Sequence, residues 1–119
     1  MIRLTALLKR NPALTREEFL THWREVHAPT ILSVPGIDRW LVRYEQHDRV
    51  DDDTVPWTGT EGYDGMTIQW FRSLDDFYAM IGDPEYRRLV NPDEEHLLDL
   101  NAVVALLTEE PRRIVGGGE

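Results

Sequence analysis

The chain has 119 residues, a formal charge of -9 and no cysteine. That length suits one compact domain and is short for two, the missing thiols exclude disulfides and thiolate metal sites, and the acidic balance argues against nucleic acid, whose phosphates demand a basic face. The opening "MIRLTALLKR" holds an apolar run too short and too interrupted for a signal peptide or a membrane span, so a soluble, cytoplasmic protein without membrane association is expected.

In chain order, residues 2–9 ("IRLTALLK") alternate partly, are bounded by "RNP", and predict a strand. In "ALTREEF", Thr15 can cap a helix and Glu18, three residues on, completes a capping box. The helix is predicted over 16–33, with Pro29 inside the pattern and "VPG" at 34–36 as its stop. Residues 37–47 predict a half-buried strand with Trp40, Val42 and Tyr44 on one face and Leu41 and Arg43 on the other. The segment 66–71 ("MTIQWF") repeats the alternation, with Met66, Ile68 and Trp70 together. Ser73 caps a second helix, which is expected to continue as shorter pieces restarted at Asp83-Pro84 and Asn91-Pro92. Residues 102–110 form a last apolar strand, and a flexible tail is expected over 113–119 after a single domain over 1–112.

The order β-α-β-β-α-β fits a four-stranded antiparallel sheet with two helices on one face, an α+β ferredoxin-like arrangement. The other face would still carry apolar side chains. A patch of that kind usually marks an interface, and a twofold homodimer with sheets face to face would cover it. The connection 48–64 is long for a hairpin. Its Asp51–Asp53 run lacks calcium-loop spacing, so a solvated acidic loop is expected. Val55, Trp57 and Tyr63 suggest that it folds back over the mouth of a pocket.

The helix at 16–33 carries an unusual row. Phe19, Trp23 and His27 are four apart and share a face. At about 100° per residue, Val26, Thr30 and Trp23 fall within about 40° of Phe19, and His27 lies about 80° away between apolar positions. His22 falls at about -60°, at the stripe's margin, and the two histidines, five apart and about 140° around the helix, would not share one metal ion as an i, i+4 pair would. Pro29 removes the N–H that would bond the Glu25 carbonyl, so the helix must kink or change turn at His27 and open space beside the ring. The residues alone favour a buried histidine bonded to a carbonyl or a tyrosine and leave a pocket acid/base open. Trp40, Tyr44 and Trp70 are core residues by default on alternating strands. His47 and His96 have no ligand spacing, and no metal site is expected.

The stretch "LLKRNPALTREEFLTHWREVHAPTILSVPGIDRWLVRYEQ" resembles the EthD-like family of dimeric α/β-barrel proteins. The signature is a first strand ending in Lys9-Arg10, then Phe19, Trp23, His27 and Pro29, then Pro35-Gly36. "YDGMTIQWF" is similar to the family's third strand, and "PDEEHLLDL" to its acidic helix ending in Asp, here Asp99. Leu97 stands where Phe is usual, and the 48–64 loop is longer than typical. The resemblance implies a ferredoxin-like protomer that pairs its sheet with a twofold mate and holds a pocket between sheet and helices. Relatives include muconolactone isomerases, polyketide cyclases and dehydratases, cofactor-free oxygenases and a member associated with ether degradation. It implies an enzyme without a cofactor acting on a small hydrophobic or aromatic, polyketide-like or lactone-like molecule. His27 would be the acid/base, Trp23, Trp40, Tyr44 and Trp70 the aromatic walls, and His22 or His96 an assistant. Asp99 would be structural. A cofactor-free oxygenase and a non-catalytic accessory protein that binds a hydrophobic ligand are the alternatives.

Overall fold

A computed structural model describes residues 1–52 and 62–116. Strand β1 (Ile2–Lys9) leads to helix α1 (Arg16–His22), a π-helical turn (Trp23–His27) and helix α2 (Ala28–Leu32). A 3-10 turn (Ile37–Arg39) precedes strands β2 (Leu41–Asp48) and β3 (Tyr63–Phe71), then come helices α3 (Leu74–Gly82) and α4 (Pro84–Leu97), a second 3-10 turn (Leu100–Ala102) and strand β4 (Val104–Thr108). The sheet order is β2-β3-β1-β4, with every neighbouring pair antiparallel. This is the ferredoxin-like α+β fold expected from the element order. Among the described residues no helix is long and apolar enough to cross a membrane.

Local chemistry sets the element ends. Thr15 Oγ1 accepts the Glu18 N–H at 3.1 Å, while Glu18 Oε1 accepts the Thr15 N–H at 2.8 Å, the capping box read from the sequence. Ser73 and Asp83 cap α3 and α4 by accepting the N–H groups of Asp76 and Tyr86. Two expectations are corrected. The segment at 37–47 begins as a 3-10 turn, and its strand starts only at Leu41. The acidic stretch expected as separate helical pieces is one helix, with Pro92 inside α4. Tyr86, Val90 and Leu97 are all buried on its inner side, and that packing carries the axis through the proline. At Pro29 the helix changes turn, as expected: the chain widens into the π turn, where the Ala28 N–H bonds the Trp23 carbonyl.

The core lies between the sheet and the helices in two clusters. One joins Ile31, Val34, Ile37, Leu41, Phe71, Met80, Tyr86 and Val90, and the other Ala6, Leu8, Phe19, Trp23, Leu97 and Leu98. Pairing of Leu4 with Gln69 and of Ala6 with Thr67 puts Thr67 and Gln69 on the helix side of the sheet. Met66, Ile68 and Trp70 therefore face the opposite way, half-buried beside Leu7 and the exposed Val104 and Leu106. Arg3 and Arg43 lie over the Trp70 ring at 5.8 and 4.8 Å. Of the 48–64 loop, Val55 and Trp57 lie outside the described residues. Tyr63 opens β3 and its hydroxyl donates to the Ala102 carbonyl at 2.7 Å.

Two contacts lock the first helix to β3. The buried Asp64 accepts from Arg10 Nη1 at 2.7 Å, with Arg16 Nε at 3.9 Å. At Gly65, a Cβ would stand 2.7 Å from two atoms of the Trp23 ring and 2.9 Å from the His47 carbonyl oxygen. Trp23 is 1% exposed and cannot retreat. Gly65→Ala is expected to cost about 1–3 kcal/mol through overpacking, read as a lower denaturation midpoint. An unchanged midpoint would show that the helix is free to shift.

Candidate active site

The π turn decides how the histidines point. An ordinary helix would set residues five apart about 140° from each other. The wider turn brings both rings to one face, against α4. His22 Nε2 lies 2.6 Å from Asp93 Oδ1, and His27 Nδ1 lies 2.7 Å from Asp93 Oδ2. The two rings therefore share a single carboxylate. An ionised carboxylate only accepts, so both ring nitrogens donate to it. That fixes the His27 proton on Nδ1 and leaves Nε2 as its basic nitrogen. The π turn is itself held from the sheet, since Gln46 Nε2 donates to the Trp23 carbonyl and to the Tyr44 hydroxyl, both at 2.9 Å.

His27, with only 8% of its side chain exposed, lines a cavity of about 170 Å³ between sheet and helices. Leu4, Ala6, Leu8, Ile31, Leu98 and Ala105 supply apolar wall, and Tyr44, Thr67, Gln69, Tyr86 and Glu94 supply polar groups. A void of that order holds one aromatic ring.

The electrostatics of these groups are coupled. Burial lowers the pKa of His27 below the ordinary imidazole value, against the raising effect of Asp93. Burial resists ionisation of Asp93, but the hydrogen bonds from His22 and His27 outweigh it and hold the carboxyl below the usual range. Glu94 shows the opposite outcome: burial, reinforced by the Asp93 charge, pushes its carboxyl up to about 7. Burial raises both phenols, Tyr86 with further help from the Glu94 charge and Tyr44 against hydrogen bonding from Gln46 and Trp23. The cavity thus pairs a neutral imidazole with a carboxyl that is substantially protonated near neutrality, on two neighbouring helical segments.

The expected site residues divide. His27 and Tyr44 line the cavity together. Trp23 packs on Phe19 with ring centroids 5.3 Å apart and supports the π turn rather than the cavity wall. Trp40 stacks under Arg39, whose guanidinium carbon is 4.1 Å from its ring centroid, and Trp70 lies on the far face of the sheet, so neither joins the His27 cavity. His22 and His96 line an outer groove instead, their ring centroids 4.8 Å apart. Asp99 closes the chain by donating its N–H to the Lys9 carbonyl at 2.9 Å. Asp93, Glu94, Tyr86, Thr67 and Gln69 were not singled out from the sequence. The available signal was the polar half of "MTIQWF", Thr67 and Gln69, alternating with the apolar half.

Fold and cavity define a ferredoxin-like α+β protein with a buried histidine held by a carboxylate. The model of the EthD domain matches residues 11–101, and the chain belongs to the EthD family. No curated protein matches the sequence. Among solved structures, an ethyl tert-butyl ether D (EthD) family protein from Bacillus halodurans is similar with a TM-score of 0.69 at 16% identity, covering 93% of this chain and 99% of its own. A dimeric protein of unknown function and ferredoxin-like fold from Bacteroides fragilis gives 0.66 at 15%, covering 92% and 95%. SnoaB, a cofactor-independent oxygenase from Streptomyces nogalater, gives 0.60 at 12%, covering 95% of each. At these identities the likeness concerns the fold.

Proposed function

We propose that the protein is a cofactor-independent enzyme that moves a proton on a small, neutral, enolisable molecule of aromatic, polyketide-like or lactone type, in an isomerisation, cyclisation, dehydration or related lyase step. The observation that carries this reading is the cavity's pairing of His27, oriented by Asp93, with the raised carboxyl of Glu94. Neutral His27 takes a proton on Nε2 from carbon beside a carbonyl. Asp93 stabilises the resulting imidazolium. Protonated Glu94 donates to the oxygen on which charge develops, and His27 returns the proton at a second atom. A positioned acid/base of this kind contributes about 10²–10⁴-fold. The likeness to SnoaB supports a second reading, oxygenation of a bound aromatic anion in the same cavity. The apolar face carrying Met66, Ile68, Trp70 and Leu106 suits a twofold mate, as in the Bacteroides fragilis protein described as dimeric.

The charges around the cavity support a neutral substrate. No Lys or Arg lines the cavity among the described residues, and the segments 53–61 and 117–119 contain none. A carboxylate buried there would meet Glu94 and the Asp93 charge without a cation to offset desolvation. In an NMR titration at pH 7, 4-propylphenol is therefore expected to bind the protein at least ~10-fold more tightly than 4-propylbenzoate, about 1.4 kcal/mol of discrimination. Equal or tighter binding of the benzoate would contradict the neutral-substrate reading.

A further inference from the structure

His22 and His27 share Asp93 but face different spaces. His27 lines the inner cavity and is absent from the outer groove. His22 lines the outer groove, about 570 Å³ in volume, with Leu14, Glu17, Glu18, Thr21, Val26 and His96, and is absent from the cavity. Asp93 stands between them, one oxygen to each ring. Side-chain exposure follows the same gradient, 22% for His22, 14% for Asp93 and 8% for His27. A histidine serving only to orient Asp93 could be any donor. This imidazole instead lies in a groove rimmed by Glu17 and Glu18, next to a carboxylate whose other oxygen holds the buried base.

We propose that His22 is a positioning residue for His27: by claiming half of Asp93 from the solvent side, it sets the basicity of the buried imidazole and couples the cavity to the outer groove. Were Asp93 wholly available to His27, the carboxylate would favour the imidazolium and leave less neutral base in the cavity. Sharing keeps the orienting hydrogen bond while weakening that pull. A charge on His22 adds direct repulsion of a charge on His27. The groups facing this unit from other elements are Glu94, Tyr86 and His96 on α4 and Tyr44 on β2, with Glu17 and Glu18 on α1 at the groove.

The inference deepens the proton-transfer reading, but its test needs no substrate. Ring signals of the full chain would be followed by NMR against pH, with His27 assigned by its loss in His27→Gln. In both His22→Asn and His22→Phe the His27 midpoint is expected to move up, since repulsion is removed and Asp93 serves one ring. A merely structural His22 predicts the reverse: loosening Asp93 would leave burial unopposed and move the midpoint down. A midpoint that stays or falls in both variants, in protein that keeps its native backbone spectrum, overturns the proposal. That result would leave the catalytic reading standing. An active His27→Gln enzyme would sink the catalytic reading and leave this coupling intact.

Discussion

Replacing His27 by Gln is expected to lower turnover at least ~100-fold, because it removes the cavity's imidazole base. Gln retains a donor for Asp93, so folding should survive and ligand affinity change little. The wild-type pH profile sharpens the expectation. Activity needs neutral His27, whose pKa lies below the ordinary imidazole value, so it is lost as pH falls through that lowered midpoint. It also needs protonated Glu94, so it declines as pH rises through about 7. The result is a bell with its alkaline limb near neutrality, and Glu94→Gln should remove that limb. A profile that stays flat from acid to alkaline pH would exclude this division of roles.

Asp93→Asn is expected to be nearly as severe, with turnover falling on the order of 100-fold or more, as when a catalytic imidazole loses its orienting carboxylate. Two ring N–H donors would meet an amide that offers one acceptor oxygen and one NH2 group. One histidine must turn or change tautomer, and a reoriented His27 no longer presents Nε2 as base. Loss of the negative charge also removes the stabilisation of the imidazolium. The His27 midpoint should drop further, the opposite direction from the His22 variants. Asp93 does not line the cavity, so binding of 4-propylphenol should persist. Loss of turnover with affinity retained marks a positioning role, whereas loss of both would indicate a collapsed site.

Much of the fold was legible because its signals are local. The Thr15–Glu18 box, the Ser73 cap and the strand alternations act within a few residues and appear where the sequence puts them. The inward direction of His27 was legible too, since its neighbours on the helix face are apolar. The site's second half was not. Asp93 lies 66 residues from His27, and no periodicity links them before α4 packs on the first helix. The π turn was hidden for a different reason. Pro29 announces that α-helical bonding must fail near Glu25 but does not say whether the chain kinks or widens. His22 stays at the margin, half-buried on the outer groove, but widening brings its ring onto Asp93. Trp70 shows a third limit. Alternation tells which residues share a face of β3, not which face meets the helices. Here the apolar set lies on the outer face, and the polar Thr67 and Gln69 turn toward the cavity.

Proton exchange can be measured without knowing the physiological substrate. The protein would be incubated in D2O with a panel of neutral aryl ketones and β-diketones small enough for the cavity, and deuterium gain beside the carbonyl followed by NMR. Wild-type protein is expected to speed exchange above buffer for at least one member, with His27→Gln at least ~100-fold slower on it. Exchange no faster than buffer across the panel, or equal in wild type and His27→Gln, would contradict a catalytic His27.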